Sequence, residues 1–183
     1  MSKILTIDYE TSDSRVNFGQ VLQAGIVISD DKLNIQSRHE LRCRLKSTVI
    51  PSIGACLVHK IPVNILKNSN KSHYEMVLEH YNLIKDNTPS VVMGFNQVAF
   101  DIEFYRRMLY KSLIQDVYQT NTNGNRHLDI LNVSRAAKFA DNDSIQTIHN
   151  EKNRVSFKLS DLSTANKINN GTSHDAITDC LNS

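Results

Sequence analysis

With 183 residues, 40% of them hydrophobic and 22% charged, the chain has the length and composition of one soluble folded domain, which excludes disorder and fibres and makes a metal unnecessary for stability. Lys+Arg 21 against Asp+Glu 19 leaves a net charge of only +2, which excludes the broad positive field of a non-specific duplex binder, so any nucleic-acid contact has to be local. Cys43, Cys56 and Cys180 are odd in number and far apart, which fits neither a disulfide framework nor a CxxC site. No apolar run is long enough for a membrane span, and cytoplasm is the expected location.

Ile4 to Glu10 alternates as a strand, with Thr6, Asp8 and Glu10 on one face and Leu5, Ile7 and Tyr9 on the other. Gly19 to Ser29, a turn at Asp30-Asp31, and Leu33 to Leu45 extend this into an antiparallel meander. Pro51 and Pro62 bracket an irregular stretch with short helical pieces that ends at Leu66. From Ser72 a helix is predicted, with Tyr74, Val77, Leu78, Tyr81 and Ile84 as its inward stripe, closing at Asn87 and Pro89. Val91 to Phe95 is a short apolar strand, and Val98 to Lys111 a helix with Ile102, Tyr105, Met108 and Leu109 inward. His127 to Leu131 reads as an edge strand running into a helix through Ala137. Asp141 to Arg154 is polar, Lys158 to Ile168 a modest helix, Asn169 to Gly171 a turn, and a last short helix starts near His174. The alternation of strands and helices argues a mixed α/β sheet.

Three groups of residues can carry chemistry. Asp8 and Glu10 point the same way from an otherwise apolar strand, where two carboxylates repel and call for a cation. Asp101 follows a strand at the start of a helix, a position at which α/β sheets build sites, though an acid there is also a routine helix cap. Asp175 and Asp179 share a helix face behind His174, with Asp175 placed as an N-cap. Asn96 is placed as a cap of the following helix, and Phe95 and Phe100 as core residues that can also stack on a base. Lys60, Arg106, Arg107, Lys111 and Arg126 are the cations available for a local phosphate track.

The ordered motifs Asp8-Tyr9-Glu10-Thr11, Asn96 to Asp101 (N-x-V-x-F-D) and His174 to Asp179 (H-D-A-x-x-D) resemble the DEDDh 3′-5′ exonuclease family, and within it the N-terminal nuclease domain of the exonuclease I branch. That resemblance implies an RNase H-like fold, a mixed five-stranded sheet flanked by helices. It also implies metal ligation by Asp8, Glu10, Asp101 and Asp179, His174 as general base beside the catalytic acids Asp8 and Glu10, and Tyr9, Thr11, Asn96 and Phe100 as contacts for the 3′ nucleotide. Two Mg²⁺, replaceable by Mn²⁺, are the implied cofactors; a metal pair can activate water and stabilise the leaving oxygen. The implied activity is release of nucleoside 5′-monophosphates from the 3′ end of single-stranded DNA, in repair or recombination. The alternatives are a DEDDh nuclease acting on short RNA or in proofreading, and a non-catalytic nucleic-acid-binding or docking domain. Ile102 stands where members of the branch often carry another acid. The branch continues into SH3-like and helical domains, so residues 1–183 are expected to be an exonuclease domain truncated at its C-terminus, with a single-stranded-DNA-binding protein as a partner reached through the missing parts.

Overall fold

The computed structural model describes residues 3–168 and 175–183. Strand β1 (Lys3–Thr11) buries Leu5, Ile7 and Tyr9 as the alternation requires. It pairs antiparallel with β2 (Val21–Ser29), which pairs antiparallel with β3 (Ile35–Arg42), so the predicted meander is present. On its other edge β1 runs parallel to β4 (Ser90–Gly94), which runs parallel to β5 (Arg126–Asp129), giving the order β3-β2-β1-β4-β5 with β1 in the middle. A central strand is covered on both faces, and β2 is buried along its whole length, whereas the edge strand β3 alternates with solvent.

The stretch bracketed by prolines forms two short helices, α1 (Ile53–His59) and α2 (Val63–Asn68). Helix α3 (His73–Asp86) opens on a capping box in which Ser72 and Glu75 satisfy each other's backbone amides. Its buried face is His73, Met76, Val77, His80 and Ile84, while Tyr74 and Leu78 are exposed. The predicted stripe is therefore rotated, because two histidines occupy core positions that a purely apolar count passes over.

A 3₁₀ turn at Gln97–Ala99 leads into α4 (Asp101–Lys111), which buries Ile102, Tyr105, Met108 and Leu109 as expected, and Phe104 as well. Helix α5 (Ile130–Ala140) follows β5 directly, and α6 (Leu159–Ala165) comes after the polar segment. Helices α3 and α4 share one core with Leu5, Ile7 and Tyr9 of β1. Fully burying each such side chain contributes about 1.5–3 kcal/mol.

The last helix, α7 (Ala176–Asn182), lies on β1 and β2. Asp8 is the register partner of Gly25, and a β-carbon on Gly25 would stand 2.4 Å from the carbonyl oxygen of Ala176. Only glycine lets the helix backbone come this close to the sheet. The predicted turn at Asn169 to Gly171 and the start near His174 lie outside the described residues.

Candidate active site

The two acids of β1 and one of α7 meet. Ligand oxygens of Asp8, Glu10 and Asp179 all lie within 4.8 Å of one another. β1 supplies two by its two-residue period, and α7 supplies the third from its first turn. Asp175 caps that helix as the sequence indicates, accepting from the Thr178 amide at 3.1 Å. Its other carboxylate oxygen accepts from Gln23 Nε2 at 3.2 Å. Gln23 is the register partner of Glu10 and also donates to Glu40 at 3.1 Å, so it ties α7 to the sheet beside the acids.

The carboxyls of the trio are gathered in a largely buried place and raise one another. Burial, then Asp179 and Asp175, push Asp8 up to about 8. Burial, then Asp8, Asp179 and Asp175, push Glu10 up to about 8. Asp101 is 4% exposed, and its carboxyl is raised by burial and by Asp8, against the lowering effect of the backbone amides of Asp101 and Tyr9. One of its oxygens has no hydrogen-bond partner among the described residues. Asp101 stands outside the tight trio but lines the same cleft, about 480 Å³ in volume. Oxygen donors grouped in this way can hold a hard cation. A larger hollow of about 850 Å³ beside α2 and the start of α3 has no carboxylate in its lining and lacks this chemistry.

The expected nucleotide contacts are placed unequally. Tyr9 turns its phenol into the core, where Oη lies 2.7 Å from His80 Nε2, so what it offers the cleft is main chain. Thr11 lines the cleft, but its hydroxyl donates to the Asp13 carbonyl at 3.0 Å. Asn96 has a left-handed backbone (φ 59°) and makes no side-chain cap bond, which corrects its expected role. The capping is done by Asp129 at the end of β5, whose carboxylate accepts from the amides of Asn96 at 3.0 Å and Val98 at 3.2 Å. Asn96 is left exposed at the cleft, and Phe100 lies between cleft and core, its ring 4.8 Å from that of Phe104. His174 lies outside the described residues.

Helix α1, one of the short helical pieces expected between the prolines but not expected at the site, forms a wall of the cleft through Gly54, Ala55, Val58 and His59. His59 is buried, and its Nδ1 accepts from the Ile61 amide at 2.9 Å. That bond fixes the neutral tautomer with the proton on Nε2. Nε2 has no partner among the described residues. Ser52, which caps α1 by accepting from Ala55, was the available signal for this helix.

Of the cations, Arg106 is engaged with Glu103 at 2.8 Å and over the Tyr118 ring. Arg107 and Lys111 are joined by Lys46 in a small groove next to the loop that follows β1, Lys60 ends α1, and Arg126 is exposed on β5.

No protein-family model matches the chain. It is 28% identical over 176 residues to Exodeoxyribonuclease I of Buchnera aphidicola subsp. Acyrthosiphon pisum, covering 96% of this chain and 42% of that protein. The fold matches that of Escherichia coli exonuclease I in complex with a dT13 oligonucleotide, with a TM-score of 0.94, 23% identity, and coverage of 100% of this chain and 39% of the other. It also matches the zinc-bound form of the E. coli exonuclease I complex with single-stranded DNA, with a TM-score of 0.92, 24% identity, and coverage of 100% and 39%. The chain thus has an exonuclease I-like nuclease fold and spans about two fifths of the length of these relatives. No helix among the described residues is long and apolar enough to cross a membrane.

Proposed function

We propose that the chain is the nuclease unit of a metal-dependent exonuclease that removes nucleotides from the 3′ end of single-stranded DNA, leaving nucleoside 5′-monophosphates. The observation that carries this reading is the convergence of Asp8, Glu10 and Asp179 within 4.8 Å in an open cleft that Asp101 also lines. Likeness to exodeoxyribonuclease I over 96% of the chain supports it.

The donor set fits Mg²⁺, with Mn²⁺ able to replace it: every donor is a hard oxygen, and a cation would relieve the burial and mutual repulsion that raise Asp8 and Glu10. Asp8, Glu10 and Asp179 would hold one cation, and Asp101 with Asp8 a second. Bound there, divalent cations neutralise phosphate charge and make a water acidic enough to attack.

The remaining work belongs to the protein's own side chains. His174 would take the proton of the attacking water, a task suited to an imidazole near neutrality. His59 Nε2 would donate to an oxygen of the terminal nucleotide, which its fixed tautomer makes possible. Thr11, Asn96 and Phe100 would border that nucleotide, and Arg107, Lys111 and Lys46 would draw the trailing phosphates. DNA repair or recombination is the proposed setting.

The test is release of label from 3′- and 5′-labelled oligonucleotides of DNA and RNA, with Mg²⁺ or with EDTA. Mononucleotides should appear from the 3′ end of single-stranded DNA only when metal is present. Cleavage in EDTA, or release from the 5′ end, contradicts the proposal, and faster turnover of RNA would reassign the substrate.

A further inference from the structure

Asp8 and Glu10 stand on a part of β1 that has a strand on one side only. β4 accompanies β1 from Lys3 to Thr6, and beyond that the ladder is with β2 alone, with a register shift between Glu10 and Thr11. A strand held along one edge can twist about that edge, and such a twist displaces both carboxylates together.

On the opposite face this strand end is tethered to α3. Tyr9 Oη and His80 Nε2 are 2.7 Å apart, with the rings edge to face at 5.6 Å and 72°. The His80 ring also packs 4.8 Å from Tyr105 and is 0% exposed. Its Nδ1 has no partner among the described residues. A buried polar atom left unmatched is unfavourable, and a leucine or phenylalanine would fill the space without it. The fold therefore retains a histidine at a position where packing alone would favour an apolar residue.

We propose that the Tyr9–His80 hydrogen bond is a positioning contact that locks the end of β1, so that Asp8 and Glu10 keep the spacing a divalent cation requires. His80 acts through Tyr9 and touches neither metal nor nucleotide. The inference rests on the reading of Asp8, Glu10 and Asp179 as metal ligands.

Tyr9→Phe removes only the hydroxyl, His80→Leu removes the ring partner, and His80→Gln keeps an amide that can meet the hydroxyl. Each is measured well below its unfolding midpoint, for the Mn²⁺ dissociation constant by calorimetry and for kcat and KM on a single-stranded oligonucleotide. Tyr9→Phe and His80→Leu should each weaken Mn²⁺ binding about tenfold and lower kcat by a similar factor, the scale of outer-shell changes at metal sites. KM should stay unchanged, and His80→Gln should recover most of both losses. Folded variants with wild-type Mn²⁺ affinity and kcat, even with a lowered midpoint, overturn the proposal by reducing the pair to core packing. If His80→Leu does not fold, the comparison of Tyr9→Phe with His80→Gln decides. A wild-type chain that binds no Mn²⁺ is a separate result and removes the metal reading itself.

Discussion

Gly25 and Ala176 meet backbone to backbone: a β-carbon on the glycine would lie 2.4 Å from the alanine carbonyl oxygen. Since Gly25 is the register partner of Asp8, the same contact sets how far Asp179 stands from the β1 acids. Gly25→Ala should therefore lift α7 and spread the ligand oxygens. We expect kcat to fall about a hundredfold, the effect of a displacement near 1 Å, with overpacking costing roughly 1–3 kcal/mol of stability. Steady-state kinetics beside a denaturant titration will check this, and a Gly25→Ala enzyme of normal kcat would show that the approach has slack.

Asp8→Asn should separate function from stability. Removing the acid that, after burial, does most to raise Glu10 and Asp101 should lower turnover by about a thousandfold, the upper range for loss of one charge-stabilising group. In EDTA at pH 8 the same variant should melt higher than wild type, because one source of repulsion is gone. A lower midpoint under those conditions would count against the charge argument.

The pH dependence of stability follows from opposed groups. Asp8 and Glu10 are raised to about 8 from 3.8 and 4.5, so between those values the folded state binds more protons and metal-free stability is lost as pH rises. His73 and His80 are lowered by burial to about 4 from 6.5, so there the unfolded state binds more protons and stability is lost as pH falls through that window. The two oppose each other below 6.5, and above it the carboxyl effect remains. The melting midpoint in EDTA should thus fall between about pH 6.5 and pH 8, and Mg²⁺ should raise it more at pH 8 than at pH 6. Differential scanning fluorimetry at the two pH values gives the answer, and an equal metal effect at both would refute it.

His59→Ala should act on substrate handling. His59 lines the cleft, its Nδ1 is committed to the Ile61 amide, and its Nε2 has no partner among the described residues. Loss of one hydrogen bond to a charged acceptor, about 1.5–3 kcal/mol, predicts a KM for short oligonucleotides raised about tenfold or more, with a smaller drop in kcat. A kcat that falls while KM holds would place His59 in the chemical step instead.

What was legible in the sequence is what local period encodes. The alternation of Ile4 to Glu10 put two carboxylates on one face, and Asp175 announced itself as a cap by its place before Ala176. Residues whose role depends on distant chain were not legible. Gln23 reads as one more polar residue in a strand until Asp175, 152 positions away, accepts its amide. Asn96 looked like the cap of its own turn, yet Asp129, arriving on β5 from 33 positions away, takes that amide. His80 hid the buried stripe of α3 because its value to the core comes from a hydroxyl on β1. Helix α1 is too short for a period to establish itself.

The docking of α7 also has a consequence in time. Cys180 Sγ reaches the carbonyl of Thr6 across 174 positions of chain, and Asp179 beside it completes a trio whose other members belong to the first strand. Protein synthesis delivers the N-terminal part first, at about 5–20 residues per second. A growing chain thus holds β1 with its two acids for many seconds before the third oxygen donor exists, and during that interval the trio is incomplete. On the proposed reading the cleft stays unarmed until α7 has emerged and settled over Gly25.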